Sequence, residues 1–169
     1  MSLHRGNIMA TTVVVLRHGK PVDSEGYAED GLRPLSEEGR SVQRAVVEGL
    51  KDKNIVPTMV YTSPLVRAQE TAGIVADVFD VEVQDTEALS CDTFDAEKLL
   101  TILHNSNEGS TIFFVGHAPT LGNLVNEFVG EEVINDGIAK SGVAIVTFND
   151  AIALGNATFI SYFKPEDLI

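Results

Sequence analysis

The sequence predicts an α/β fold: a three-layer sandwich in which a mainly parallel central sheet has helices on both faces and ends in an antiparallel C-terminal edge. Short apolar runs of strand length alternate with segments whose apolar residues recur at helical spacing. This alternation is typical of βαβ units. The last two apolar runs are joined by a short segment containing Gly155-Asn156. Such a short connection favours an antiparallel hairpin.

The first strand and the first helix have the clearest patterns. The run TTVVVL at residues 11–16 is almost wholly apolar, which indicates a parallel strand that is buried on both faces. Ser36 stands where an N-cap is expected before the first helix. Val42, Val46 and Leu50 then recur every four residues and form one apolar stripe. We expect this stripe to pack on the sheet.

Similar patterns predict the remaining elements. The strand runs are TMVYT at 58–62, VEV at 81–83, STIFFV at 110–115, GVAIVTF at 142–148 and ATFISYF at 157–163. One helix is expected after Ser63-Pro64, a second after the capping residues at 92–95, and a third between Pro119 and Gly130. Proline is common at the start of a helix and glycine just after its end.

Length and composition indicate a single globular domain. The chain has 169 residues, of which 44% are hydrophobic and 22% charged. We expect the domain to cover residues 11–169, with an added leader or a disordered start at 1–10, because the first strand pattern begins only at Thr11. No apolar run approaches the roughly 20 residues that cross a bilayer, and the first residues lack the apolar core of a secretory signal. We therefore expect a cytoplasmic protein with no membrane partner.

The charge balance restricts the partners. The chain carries 12 basic and 25 acidic residues, a formal net charge of −13. Such a surface repels nucleic acid, so no nucleic-acid partner is expected. A site for phosphate would have to be a local positive region. The sequence leaves the oligomeric state open.

Polar residues follow three of the predicted strands. Arg17-His18-Gly19 follows the first strand, Arg67 lies soon after the second, and His117 follows the run at 110–115. Because ligands of open α/β sheets bind beyond the carboxyl ends of the strands, we expect these residues to meet at one edge of the sheet.

These residue types favour a phosphate and disfavour a metal. Guanidinium groups bind phosphate oxygens in pairs, and the N-termini of the following helices supply amide donors. A divalent cation would be repelled by the arginines, and it would need carboxylate or thiolate ligands that these strand ends do not provide. We expect neither a metal ion nor a cofactor.

The histidines suit phosphoryl transfer. A neutral imidazole whose far nitrogen is held by a hydrogen bond can attack a phosphoryl group and carry it covalently. His18 is the better candidate nucleophile because it lies between Arg17 and Gly19, where glycine allows close approach of the backbone. His117 would then be a second phosphate contact that balances developing charge.

Three segments resemble, in order, the motifs of the histidine phosphatase superfamily, which is also called phosphoglycerate-mutase-like. They are LRHGK at 16–20, YTSPLVRAQETA at 61–72 and FFVGHAPTLGNLV at 113–125. The resemblance implies the phosphoglycerate-mutase-like fold. It also implies that Arg17, Arg67 and His117 bind phosphate, that His18 is the phosphorylated nucleophile, and that Ser63 flanks the pocket.

Within that superfamily the chain is most similar to the small SixA-like phosphohistidine phosphatases. The lysine after Arg-His-Gly resembles theirs, and DGLRPLSEEGR at 30–40 resembles a segment that places Arg33 toward the phosphate. The compact C-terminal half, without an inserted subdomain, is also similar to that group.

One element of many relatives is missing. Mutases and many ester phosphatases of the superfamily have a Trp-Glu-Gly-like element whose glutamate is the general acid, whereas this chain has no tryptophan. Glu87 and Asp92, in the corresponding stretch at 85–99, are the candidates for a general acid. An alkoxide leaves badly without a proton donor, whereas an imidazole leaves more easily.

These observations lead to one hypothesis and two alternatives. The hypothesis is a metal-independent phosphatase that removes phosphoryl groups from phosphohistidine in proteins through a phosphohistidine enzyme intermediate. The first alternative is a small-molecule phosphomonoesterase or mutase of the same superfamily, and the second is a catalytically silent phosphate-binding module. The expected partner is a phosphorylated protein or a small phosphate ester.

Overall fold

The computed structural model describes residues 9–169, so most of the leader expected at 1–10 lies outside the described residues. The strands are β1 (Thr11–Arg17), β2 (Met59–Thr62), β3 (Val83–Asp85), β4 (Thr111–Gly116), β5 (Val143–Phe148) and β6 (Thr158–Phe163). The helices are α1 (Glu37–Asp52), α2 (Val66–Phe79), α3 (Ala96–His104), α4 (Thr120–Val129) and α5 (Pro165–Leu168), with 3-10 helices at Asp30–Leu32 and Glu87–Leu89. Within this range, none of the helices has the length and apolar character of a membrane span.

The six strands form one mixed sheet in the order β3-β2-β4-β1-β5-β6. Strands β1 to β4 are parallel, β5 runs antiparallel to β1, and β6 runs antiparallel to β5. The predicted α/β fold with an antiparallel C-terminal edge is therefore confirmed. Arg17 pairs with Gly116, and Thr62 pairs with Val115. This register brings the carboxyl ends of β1, β2 and β4 to the same edge of the sheet.

Helices cover both faces of the sheet. Buried residues of α1, α2 and α5 pack on one face, and buried residues of α3 and α4 pack on the other. Strand β1 contributes Val14 and Leu16 to the first face and Val13 and Val15 to the second, all with no solvent exposure. Burial on both faces is why this strand is apolar without alternation.

Local signals mark three of the helix ends. The Ser36 side chain accepts a hydrogen bond from the Gly39 amide at the start of α1, and Asp95 accepts from the amides of Glu97 and Lys98 at the start of α3. Gly130 ends α4 with a φ of 86°, a left-handed conformation that glycine adopts without strain.

The structure corrects the position of the third strand, which the apolar pattern places at 81–83. It lies at Val83–Asp85, where Val83 pairs with Val60. Val81 packs against the core on the α1–α2 side without belonging to the strand. The apolar pattern identifies residues that pack against the core, and here the first of them, Val81, precedes the residues that pair with β2.

Helix α5 was not predicted from the sequence. It has only four residues, too few for a periodic pattern.

Gly39 brings the start of α1 against the loop that follows β1. A Cβ at this position would overlap the backbone carbonyl of Lys20, which also accepts hydrogen bonds from the Ser36 amide and hydroxyl. We therefore expect Gly39→Ala to lower the free energy of unfolding by about 1–3 kcal/mol, the usual range for overpacking. Urea unfolding followed by circular dichroism measures this loss.

Gly73→Ala is the matched control for this substitution. Gly73 also lies in a helix, α2, but a Cβ there meets nothing within 4 Å. Because alanine is a better helix former than glycine, this variant should be as stable as the parent or more stable by up to about 1 kcal/mol. Equal unfolding midpoints for the two variants would contradict the proposed close approach at Gly39.

Candidate active site

An open pocket of about 390 Å³ lies where the carboxyl ends of β1, β2 and β4 meet. Five cationic side chains line it: Arg17, Lys20, Arg33, Arg67 and Lys140. Asp23 is the single carboxylate among the lining residues that the structure describes. In a chain with more than twice as many acidic as basic residues, this pocket is a local positive region that attracts anions.

His18 lies directly after β1, with its backbone and its ring both held. Its backbone donates to Gly116 and accepts from the Ser141 amide. Its Nδ1 lies 2.7 Å from the carbonyl oxygen of Gly19. Because a carbonyl only accepts, Nδ1 carries the ring proton and Nε2 keeps its lone pair. The Arg67 Nε points toward that Nε2 at 3.4 Å.

His117 follows β4 and faces His18. The two ring centroids are 5.1 Å apart, with the ring planes tilted by 55°. The His117 Nε2 lies 2.8 Å from the Ser63 hydroxyl oxygen, and that oxygen accepts a hydrogen bond from the Leu65 amide. Ser63, the predicted flanking serine, therefore contacts the ring of His117 on its Nε2 side.

Two buried nitrogens of the site have no protein partner within residues 9–169. They are His117 Nδ1 and Arg17 Nε, and both side chains line the pocket. Buried polar atoms in folded proteins are nearly always paired. The oxygens of a phosphoryl group are suitable acceptors for both nitrogens. The Nη1 of Arg17 is already bound to the Ile138 carbonyl at 2.8 Å.

Both histidines are neutral at neutral pH. The pKa of His18 is lowered to about 3, chiefly by burial and also by His117 and Arg67, against the opposing effect of the Gly19 carbonyl. Burial lowers the pKa of His117 to about 4, helped by Arg67 and Arg17. A lone pair on His18 is therefore available over the physiological pH range.

Arg67 and Arg33 are joined by Asp30, a residue that the sequence patterns do not single out. The two terminal nitrogens of Arg67 donate to the carbonyl oxygen and to Oδ2 of Asp30, each at 2.9 Å. Arg33 donates to the other carboxylate oxygen from Nη2 at 2.7 Å and from Nε at 2.9 Å. The hydrogen bond from Arg33 lowers the pKa of Asp30, and Arg67 contributes in the same direction.

Thr71 also supports the site, and the sequence patterns do not identify it. Its hydroxyl accepts a hydrogen bond from the Gly19 amide at 3.2 Å and donates to the Arg67 carbonyl at 2.8 Å. It lies four residues after Arg67 and therefore on the same face of α2. This i, i+4 spacing is the signal that could have identified Thr71 as a neighbour of the arginine.

The two candidate general acids lie outside the pocket lining. Glu87 is exposed on the 3-10 helix at 87–89, where its carboxylate lies 3.4 Å from the Thr93 hydroxyl. Asp92 is also exposed. The neighbouring Cys91 lines the pocket instead, and burial raises the pKa of its thiol.

In the described part of the chain, no three His, Cys, Asp or Glu side chains are grouped to hold a metal ion.

The depressed pKa values predict that the protein loses stability in acid. An unfolded histidine binds its proton below about pH 6.5, whereas His18 and His117 do so in the folded state only near pH 3 and 4. The unfolded chain therefore binds more protons in this window, and the free energy of unfolding falls as the pH is lowered from 6.5 toward 4.

Urea unfolding at pH 7, 6, 5 and 4.5 measures this dependence. Replacing both His18 and His117 by asparagine should make the decrease between pH 6.5 and 4.5 shallower than in the parent. An unchanged slope in the double variant would show that other groups produce the acid sensitivity.

Known proteins are similar in sequence to different parts of this chain. A sequence model of the histidine phosphatase superfamily (branch 1) matches residues 13–90. The phosphohistidine phosphatase SixA of Escherichia coli is 29% identical over 161 residues, which cover 92% of this chain and 95% of SixA. A 2,3-bisphosphoglycerate-dependent phosphoglycerate mutase of Bifidobacterium longum is 38% identical over 74 residues, which cover 43% of this chain and only 30% of the mutase.

The fold agrees with the sequence similarity. A solved structure of the protein histidine phosphatase SixA complexed with tungstate superposes with a TM-score of 0.81 at 27% identity. The match covers 94% of this chain and 99% of that one. The sequence model, the ordered motifs and the shared architecture agree: the chain resembles the histidine phosphatase superfamily, and it is SixA-like in sequence and fold over most of its length.

Proposed function

We propose that this protein is a metal-independent phosphatase that removes phosphoryl groups from phosphohistidine in proteins, through a covalent intermediate on His18 Nε2. One observation carries the proposal. The Gly19 carbonyl lies 2.7 Å from Nδ1 of a buried His18, so Nε2 presents its lone pair in a pocket lined by five cations. The similarity to SixA over 92% of the chain supports the same activity.

The first step transfers the phosphoryl group to His18. The guanidinium groups of Arg17, Arg33 and Arg67 hold the phosphoryl oxygens, and the lone pair of His18 Nε2 attacks phosphorus in line with the leaving nitrogen. The bond from phosphorus to the substrate imidazole breaks as the bond to Nε2 forms. The cationic groups and His117 Nδ1 stabilise the negative charge on the equatorial oxygens.

The Gly19 carbonyl also prepares the second step. Because it holds the Nδ1 proton, phosphorylation of Nε2 makes the His18 ring a cation. When water attacks phosphorus, the nitrogen–phosphorus bond breaks and its electron pair returns to Nε2, which leaves a neutral imidazole. No acid has to protonate the leaving nitrogen in this step, and the site needs no dedicated proton donor for it.

The same reasoning favours a phosphohistidine substrate. A substrate imidazole that is protonated at its far nitrogen also leaves as a neutral ring, whereas an alkoxide requires a proton donor. Glu87 and Asp92 do not line the pocket. The pocket is open, with no inserted lid among the elements at 9–169, so it is accessible to a histidine on a protein surface.

A small phosphate ester is the second candidate substrate. It is favoured by the 38% identity to a phosphoglycerate mutase over 74 residues and by Asp23, an exposed carboxylate that lines the pocket. In this alternative Asp23 would protonate the leaving oxygen, the role that the sequence patterns assign to Glu87 or Asp92.

A substrate panel with an Asp23→Asn variant tests the proposal. The substrates are a histidine-phosphorylated protein, 3-phosphoglycerate and p-nitrophenyl phosphate, each assayed with and without EDTA and with vanadate. We expect kcat/KM for phosphohistidine to exceed that for 3-phosphoglycerate by about 100-fold or more, which is the usual contribution of a general acid that the ester lacks. EDTA should have no effect, vanadate should inhibit, and Asp23→Asn should hydrolyse phosphohistidine within about 2-fold of the parent.

Three outcomes contradict the proposal in different ways. Preference for 3-phosphoglycerate, lost in Asp23→Asn, would establish the ester phosphatase. Loss of activity with EDTA would exclude metal independence. Binding of phosphate without release from any substrate would establish a phosphate-binding module.

A further inference from the structure

We propose that Asp30 is a positioning residue that fixes the guanidinium of Arg67 in the orientation required for phosphoryl transfer from His18. The proposal rests on the proposed function, because it assigns a role toward the phosphoryl group in the same pocket. Asp30 belongs to the 3-10 helix at 30–32, in the segment between β1 and α1. Its side chain is 61% exposed, whereas that of Arg67 is 9% exposed.

Asp30 occupies one particular edge of the Arg67 guanidinium. Its carbonyl oxygen and its Oδ2 accept from Nη1 and Nη2, the two terminal nitrogens, each at 2.9 Å. The Nε lies on the adjacent edge and is directed toward His18 Nε2 at 3.4 Å. A guanidinium presents more than one pair of parallel donors. Asp30 therefore uses the pair that faces away from His18 and leaves the Nε edge for the phosphoryl group.

The same carboxylate also holds a second arginine of the pocket. Its Oδ1 accepts from Arg33, whose Nη1 is bound to the Val22 carbonyl at 2.8 Å. One carboxylate thus forms ion pairs with two guanidinium groups that would otherwise repel each other. Its negative charge also offsets part of the positive charge of the pocket without lining the pocket itself.

Because the side chain of Asp30 is exposed, its removal should affect turnover much more than the free energy of unfolding. Ion pairs that are open to solvent on one side contribute little to folding. Loss of the carboxylate should therefore leave the urea midpoint nearly unchanged. Misplacing a catalytic group by about 1 Å, however, can reduce turnover by about 100-fold. A large loss of kcat with normal stability is the result expected of a positioning residue.

Asp30→Ala and Asp30→Asn test this role, with Glu29→Gln as the matched control. Glu29 is the neighbouring exposed carboxylate, and its side chain makes no ion pair in the described part of the chain. We expect Asp30→Ala to lower kcat by about 10- to 100-fold with a small change in KM and with weaker inhibition by vanadate. Asp30→Asn keeps one acceptor oxygen and should recover part of the loss, and Glu29→Gln should behave as the parent.

A double-mutant cycle with Arg67→Ala adds a readout that a merely structural residue would not affect. If Asp30 acts chiefly through Arg67, the two losses should be far from additive, and the double variant should be slower than Arg67→Ala alone only by the part that Asp30 contributes through Arg33. Fully additive losses would overturn the proposal. So would normal turnover in Asp30→Ala, or tighter binding of phosphate and vanadate, which would show that the carboxylate competes with the ligand for the arginines.

Vanadate affinity and hydrolysis of p-nitrophenyl phosphate are measured on the same variants, because neither depends on the natural substrate. If the parent hydrolyses p-nitrophenyl phosphate but no phosphohistidine, the proposed function fails while Asp30 is still judged by these two readouts. If the parent prefers phosphohistidine and Asp30→Ala is normal in both readouts, the Asp30 proposal alone fails.

Discussion

His18→Ala is expected to reduce the turnover of phosphohistidine to background, a loss on the order of a million-fold, as when another covalent enzyme loses its nucleophile. Residues 9–169 offer no second ring nitrogen in an equivalent position. The Nε2 of His117 is bound to Ser63, and burial lowers the pKa of both histidines. Among the histidines of residues 9–169, only His18 combines a held Nδ1 proton with an Nε2 directed at Arg67.

The covalent intermediate provides the most direct measurement. Brief incubation with a ³²P-labelled histidine-phosphorylated protein, followed by denaturation in alkali, should leave label on the parent chain and none on His18→Ala. His104→Ala is the matched control, since His104 lies on α3 and binds the Ile152 carbonyl, and it should be labelled as strongly as the parent. Label at the parent level on His18→Ala would assign the nucleophile to another residue.

Arg67→Ala is expected to lower kcat/KM by about 1000-fold, the upper range for loss of one donor that stabilises a transition state. The variant loses the nitrogen that faces His18 and also the partner of Asp30. Arg67→Lys should recover little, because a single ammonium group lacks the planar set of donors that meets both residues.

Steady-state kinetics with Arg40→Ala as the control measures this loss. Arg40 forms an ion pair with Glu70 across α1 and α2, outside the pocket lining, and its removal should change kcat/KM by less than about 2-fold. Because Arg67 lowers the pKa of His18, NMR titration of His18 in Arg67→Ala should show a pKa higher than in the parent. A normal kcat/KM together with an unchanged His18 pKa would remove Arg67 from the proposed mechanism.

The location of the site was predictable from the ends of the strands. His18 and His117 each follow an apolar run, and parallel strands in register must place such residues side by side. The structure pairs Arg17 with Gly116 and brings the two rings to 5.1 Å.

Which carboxylate lines the pocket, and so could act as a general acid, was not predictable in this way. Glu87 and Asp92 lie close to the pocket along the chain, but the 3-10 helix at 87–89 and the turn after it leave them exposed.

The amino-acid sequence by itself determined the fold class, the order along the chain of the six strands and of helices α1 to α4, and the residue types at the carboxyl edge of the sheet. These properties follow from local periodicity and from the rule that parallel strands end together. Only the tertiary structure decided which polar groups contact Arg67 and the loop around His18. The contacts of Asp30 with Arg67 and of Gly19 with Thr71 join residues 37 and 52 positions apart. Such contacts depend on how loops pack against α2, and local apolar patterns report burial but carry no information on the partners of polar side chains.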